Sequence, residues 1–243
     1  MTKLTTILCT FNEEKSIKKT LDILTNEKII SEIIIVDDNS NDKTIEIIKK
    51  FKNKKIKFFI RKKIKGFASA LIYGIKKANY EHILRFDVDM YFNIKYFIET
   101  FKKYENKDCI IFSRYVKRGK DLRGNFRKFS SLILNLICKY LLSAKINDYT
   151  SCTMIFNKKI LNEVKIKNTL YANFIVEFCF DLIVKNINFI EVPFIQSKNT
   201  QENSKSAPNL KTFIKNGTYY ASTIIKCFVK KISLNLIIIT KKT

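Results

Sequence analysis

The chain has 243 residues, 46 of them lysine or arginine against 22 aspartate or glutamate, for a formal charge of +24 at neutral pH. A chain of this length buries a substantial core and suits one domain with a tail, which we place at residues 1–208 and 209–243. No run reaches the roughly 18 uninterrupted apolar residues of a membrane span; residues 232–239 come nearest and are too short.

The start of the chain lacks the charged region, apolar stretch and cleavage site of a signal peptide, and the expected location is cytoplasmic. Six scattered cysteines, with no C-x-x-C pair, read as reduced, buried thiols. The positive charge favours a polyanionic partner, although Lys, Ile and Asn are abundant throughout and a compositional bias of the source also fits. Nucleic acid is disfavoured because no RRM, KH, helix-turn-helix or zinc-finger pattern accompanies the charge, and a phosphate-bearing substrate or surface is the better use of it.

In chain order, residues 4–9 read as a strand. Residues 10–14, TFNEE, open a helix running to about Asn26, with Asn12 as a candidate cap. Residues 32–36 are a strand with an all-apolar centre that ends in Asp37 and Asp38. A helix over 43–51, a strand over 56–60, and a helix over 67–79 after Gly66 follow. Residues 82–86 form a short apolar run, interrupted only by Arg85, that ends on Asp87 and Asp89.

Such βαβαβαβ succession with short connections demands a parallel sheet with right-handed crossovers. Ligands of open α/β sheets bind outside the carboxyl ends of the strands, where D-V-D would project two hard oxygen ligands suited to Mg²⁺ or Mn²⁺ on a diphosphate. A solvated strand end is the bland alternative. No G-x-G-x-x-G follows the first strand, which disfavours a dinucleotide site.

Beyond the D-V-D, residues 94–104 read as a helix and 109–112 as a strand, and the basic, glycine-containing stretch 116–127 as a mobile loop. The apolar helix over 129–142 is either a core helix or one lying at a membrane face with Lys139 at headgroup level. A strand ends near Phe156. On the helix over 173–186, Glu177 and Asp181 lie one turn apart in apolar surroundings, where a carboxylate needs a partner. One of the two is expected to face the site, the alternative being a pair with a structural lysine. Residues 188–192 form a strand, 195–209 a polar loop, and the lysine-studded tail a helix that suits either an anionic membrane surface or the flank of the domain.

The motifs TFNE (10–13), IIVDDNSNDKT (34–44), KGFASA (65–70), FDVDM (86–90), SRY (113–115), DYTSC (148–152), Glu177, IEVP (190–193) and SK (204–205), in this order, resemble family 2 glycosyltransferases of the GT-A fold. Within them the pattern is similar to the dolichyl-phosphate or polyprenyl-phosphate mannosyl- and glucosyltransferase group. The resemblance covers roughly residues 4–206. It implies an α/β fold with a mixed, mostly parallel sheet flanked by helices, and a C-terminal helical tail.

For the site it implies Thr10, Phe11, Asn12 and Glu13 lining a nucleotide, with Asp37 or Asp38 at its base or ribose. Asp87 and Asp89 would hold the metal, and Arg114 with Arg127 the phosphate of a lipid acceptor. Ser204 and Lys205 would close over the site. The implied reaction moves a hexose, mannose or glucose, with inversion, from a nucleoside-diphosphate sugar to a polyprenyl phosphate at the cytoplasmic membrane face, with or without a membrane-anchoring subunit.

Departures include Thr10 for proline and Cys152 for glycine. In the late loop, Asn199 and Glu202 stand where that group carries arginine and glycine before S-K. A saccharide or protein hydroxyl acceptor is the alternative, with Glu177 or Asp181 taking its proton. A catalytically silent relative that binds membrane or nucleic acid is the rival from another class.

Overall fold

The computed structural model describes residues 2–63, 65–169, 171–197 and 210–240. Strands β1 (Leu4–Thr10), β2 (Ile30–Asp37), β3 (Ile56–Ile60) and β4 (His82–Arg85) alternate with helices α1 (Ile17–Asn26), α2 (Thr44–Lys50) and α3 (Phe67–Lys77). Then follow α4 (Ile94–Lys103), β5 (Cys109–Ser113), β6 (Lys120–Asp121), α5 (Asn125–Leu141), β7 (Met154–Asn157), α6 (Phe174–Val184), β8 (Phe189–Pro193), β9 (Ile195–Gln196) and α7 (Leu210–Thr240).

Seven strands form one sheet in the order β3-β2-β1-β4-β7-β5-β8, and β6 pairs with β9 in a separate ribbon. Strand β7 runs antiparallel to both its neighbours while the other pairings are parallel, so the sheet is mixed and mostly parallel. Successive side chains of a strand point to opposite faces. Accordingly Ile7, Ile34 and Val36 join a core layer with α3, α5, α6 and α7, while Leu8, Ile33 and Ile35 join a second layer with α1 and α4. Each such fully buried side chain contributes about 1.5–3 kcal/mol relative to exposure. Gly74 lets α3 lie this close, because a Cβ there would meet Ile7 Cγ2 at 2.7 Å.

The register sets the functional edge. Thr10 sits opposite Asp37, so β1 and β2 end together, whereas β4 stops at Arg85, opposite Ile7. The D-V-D therefore follows the strand rather than ending it: Asp87 is extended and Val88–Asn93 is a 3-10 turn.

Two further expectations change, and the open alternative for the tail is resolved in favour of packing on the domain. Asn12 does not cap α1, which begins at Ile17. Asn12 instead adopts a left-handed φ of 55° and its Oδ1 accepts from the Asn41 backbone at 2.8 Å, tying the two strand-end loops together. The stretch 116–127 is not simply a loop, since Lys120–Asp121 forms β6 and α5 already starts at Asn125. Helix α7 packs alongside α5 and α6 through buried Ile224 and Cys227, an Asn173–Thr223 hydrogen bond of 2.9 Å, and Lys231 Nζ on the Leu141 carbonyl at 2.9 Å. Among the described residues no helix is long and apolar enough to cross a membrane.

Candidate active site

At the ends of β1 and β2, Asp37 is fully buried. Its Oδ2 accepts from Thr10 Oγ1 at 2.6 Å and Ser40 Oγ at 2.7 Å, and its Oδ1 from the Ser40 backbone at 2.8 Å. Asp38 Oδ1 accepts from Arg61 Nε at 2.7 Å, and its Oδ2 from the Gly66 backbone at 2.8 Å. Gly66 holds a φ of 130°, which only glycine adopts without strain, so this contact explains the glycine before α3.

Both acids are thus engaged in shaping the rim. The surface next to them is formed by Phe11, with Lys65 Nζ 5.3 Å from its ring, and by the backbones of Asn12 and Glu13. Those backbones donate to Ser40 Oγ at 2.9 Å and Thr44 Oγ1 at 2.7 Å.

Across the crevice, the Val88 carbonyl accepts from Thr20 Oγ1 of α1 at 2.6 Å, which fixes the turn that presents the D-V-D. The Asp87 side chain is 42% exposed and Oδ1 accepts from Arg85. Asp89 lines a cavity of about 270 Å³ with Ser16, Tyr91, Phe92 and Ser197.

Arg85 is a site residue that the sequence signalled only as an interruption. It is 4% exposed, its guanidinium lies 4.2 Å from the Phe67 ring centroid, and its Nε and Nη1 meet no hydrogen-bond partner. Burial is the largest single influence and penalises its charge, but the opposing attractions, led by the Asp87 carboxylate, together hold its pKa above the usual value. Two guanidinium nitrogens, with three N–H groups between them, are costly when buried beside the D-V-D without a partner, and a bound anion would supply one.

Among the described residues, no group of three or more His, Cys, Asp or Glu could hold a metal. A metal ion would therefore have Asp87 and Asp89 as its protein ligands. Two carboxylates from one short turn, open to solvent, suit Mg²⁺ or Mn²⁺, which keep water and take substrate phosphate oxygens rather than a full protein cage.

Arg114 does not present itself to an acceptor. It is 5% exposed and bound bidentately by Asp148, Nε to Oδ2 at 2.8 Å and Nη2 to Oδ1 at 2.7 Å. Thr150 also accepts from Nη2, and Asp121 and Gln196 accept from Nη1 at 3.5 and 3.4 Å.

The motifs SRY, DYTS and EVP meet here as a framework. Glu191 takes the Asn147 and Asp148 backbones at 2.7 and 2.9 Å, and the loop it holds delivers Asp148 to Arg114. Burial works against the charges, yet the pairing wins: Asp148 is held below the usual carboxylate range and Arg114 above its own. Arg127, half-buried in the first turn of α5, has its pKa lowered by burial and by Arg123. Ser204 and Lys205 lie outside the described residues.

Glu177 and Asp181 were expected to send one carboxylate into the site. Both are buried on α6, where Glu177 pairs with Lys167 and Asp181 with Lys230 of α7 at 2.6 Å. The helix is covered on nearly every side, so each carboxylate turns to the nearest long cation, and the structural-lysine alternative describes them.

The model of the family described as glycosyl transferase family 2 matches residues 5–165. A poly-beta-1,6-N-acetyl-D-glucosamine synthase of Staphylococcus epidermidis is 31% identical over 165 residues, 65% of this chain and 40% of that protein. The Staphylococcus aureus (strain COL) enzyme of the same name is 28% identical over 168 residues, 66% of this chain and 41% of that one. The chain thus spans about two fifths of the length of these relatives.

Among solved structures, the glucosyl-3-phosphoglycerate synthase of Mycobacterium tuberculosis in complex with uridine diphosphate superposes with a TM-score of 0.69. It is 11% identical, over 93% of this chain and 80% of that one, a likeness of fold alone. With the mixed sheet, the acids at its carboxyl edge and a family model covering most of the chain all in agreement, this protein belongs to glycosyl transferase family 2 and has the GT-A fold.

Proposed function

We propose that this chain transfers a hexosyl group from a nucleoside-diphosphate sugar, with inversion, to a hydroxyl acceptor in a divalent-metal-dependent reaction. The observation that carries this reading is the convergence of Asp87, Asp89 and Arg85 beside the loops of Thr10–Glu13 and Asp37–Asp38 at one sheet edge. The poly-N-acetylglucosamine and glucosyl transfers in the names of the similar proteins favour a hydroxyl over a lipid phosphate.

The nucleotide would lie on Phe11 and the loop backbones of Asn12 and Glu13. Asp37 and Asp38 shape that surface through Thr10, Ser40, Arg61 and Gly66 rather than by touching the ligand. Bound Mg²⁺ or Mn²⁺ on Asp87 and Asp89 would neutralise charge building on the leaving diphosphate. Arg85, with the N–H groups of Nε and Nη1 to give, would bind an oxygen of the same diphosphate and fix the rotamer of Asp87. Glu177 would serve as base for a hydroxyl only if Lys167, whose side chain is 45% exposed, swung away from it.

A second reading keeps a polyprenyl phosphate as acceptor at a membrane face. The motif order of residues 113–115, 148–152 and 190–193 favours it. Such a phosphate is already ionised and needs positioning rather than a base, for which Arg127, Ser204 and Lys205 are the proposed cations and donors.

The test offers the purified chain UDP-glucose, UDP-N-acetylglucosamine and GDP-mannose with Mn²⁺. Each donor is given an oligosaccharide, 3-phosphoglycerate or a short polyprenyl phosphate. Nucleoside diphosphate release that requires metal, is lost in Asp89→Asn and is accelerated by a hydroxyl acceptor supports the first reading. Acceleration by the polyprenyl phosphate alone moves the assignment to the second, and no release from any donor sinks both.

A further inference from the structure

Helix α5 is apolar in composition, yet its apolar side faces outward. Phe126, Phe129, Ile133, Leu136, Ile137 and Tyr140 are all exposed, Phe129 to 63% and Tyr140 to 88%. At 100° per residue these six fall within roughly a third of the helix circumference, and from Phe126 to Tyr140 the stripe runs about 21 Å along the helix. The opposite side holds Asn135 and Cys138 in the core, with Asn135 Oδ1 accepting from the Tyr149 backbone at 2.6 Å.

Helix α7 runs beside it in the same direction: Phe126 packs on Phe213 at 4.8 Å near both starts, and Lys231, further along α7, reaches Leu141 at the end of α5. It adds exposed Ile214, Ile225, Val229 and Ile232 at helical spacing. Large apolar side chains exposed at helical spacing on two adjacent helices mark an interaction site rather than scattered exposure.

Its charge identifies the occupant. Helix α5 carries three cationic residues and α7 five, and neither contains a single aspartate or glutamate. Lys128, Lys211, Lys215 and Lys226 are exposed beside the stripes. A second copy of this chain would bring two such cationic faces together, whereas an anionic bilayer accepts the apolar rings and neutralises the flanking cations at headgroup level. We infer that the α5–α7 face is a docking surface for an anionic phospholipid bilayer, on which the chain lies without crossing it. This rests on the exposed face and its charge, independently of the sugar acceptor.

The chain has no tryptophan, so Phe129→Trp gives a single reporter on the stripe. The full chain carrying it is mixed with vesicles of phosphatidylcholine alone and of phosphatidylcholine with phosphatidylglycerol, and binding is read by co-sedimentation and by the emission maximum. The expected result is a blue shift and co-sedimentation with the anionic vesicles, about tenfold weaker on neutral ones or in high salt. Leu136→Glu with Tyr140→Glu should weaken binding at least about tenfold. Circular dichroism melts and donor turnover of that double variant report whether it is folded.

Absence of binding to anionic vesicles overturns the inference, as does equal binding by the folded double variant. So does a dimer in sedimentation equilibrium that the double variant abolishes, which would assign the face to a second copy. Donor turnover without vesicle binding would leave the proposed reaction standing and remove only this surface.

Discussion

The two acidic pairs of this protein, Asp87 with Asp89 and Glu177 with Asp181, sit in apolar stretches and have opposite fates. The first follows a strand that stops short of its neighbours, so its carboxylates emerge at the sheet edge, one of them sharing its charge with Arg85. The second lies on a helix covered by α7, and lysines from outside neutralise both members. An acid in an apolar run is therefore available to a ligand only where the fold leaves it open. Where neighbours cover it, desolvation forces a protein cation into place.

The largest effect that would sharpen this contrast comes from the buried framework between them. Arg114→Met leaves Asp148 buried without its bidentate partner and should destabilise by about 3–5 kcal/mol, read by chemical denaturation. A loss under 1 kcal/mol would mean that Arg114 is not the structural clamp the geometry makes it.

Next comes Asp89→Asn, expected to lower donor turnover by about 100-fold or more, on the order of 3 kcal/mol in transition-state stabilisation. Unaltered turnover would move the metal elsewhere. Arg85→Met removes the buried guanidinium and should raise the donor KM about tenfold with a smaller effect on kcat. A melting transition that shifts while KM stays fixed would make Arg85 a core residue only.

On the covered pair, Lys230→Met should cost only about 1 kcal/mol, because the lysine side chain is 40% exposed and water screens what it gives Asp181. Donor turnover should hold. A catalytic collapse in this variant would erase the contrast altogether.

The smallest effect is in acid. Asp148 has its folded pKa below the usual 3.8, with burial opposing and Arg114 overriding. The stability it contributes is fully present above the unfolded value and is lost as pH falls from about 4 through the depressed folded value. An Asp148→Asn variant should lose that slope, and a parent melt flat across this window would contradict the pairing.

Much of this was legible in residue order. Strand β2 announces itself by an all-apolar centre buried on both faces, and the D-V-D by carboxylates after an apolar run. Gly66 marked the start of α3 before its role under Asp38 could be seen. Arg85 was visible as a charge inside a strand, but periodicity carries no information on whether its N–H groups find partners. Arg114 was legible as part of a motif but its buried pairing was not, because its bidentate partner lies 34 positions away.

The sequence by itself determined the alternation of strands and helices, the acids at the carboxyl edge and the family, since local periodicity and motif order are properties of neighbours along the chain. Tertiary structure decided which acids emerge at the sheet edge and which are covered, and which of two helices with apolar faces is enclosed. Helix α6 is enclosed and α5 turns its aromatic stripe to the outside. The physical reason is that burial and charge pairing depend on what packs from distant parts of the chain, and a helix's composition specifies that it has an apolar face without specifying what will cover it.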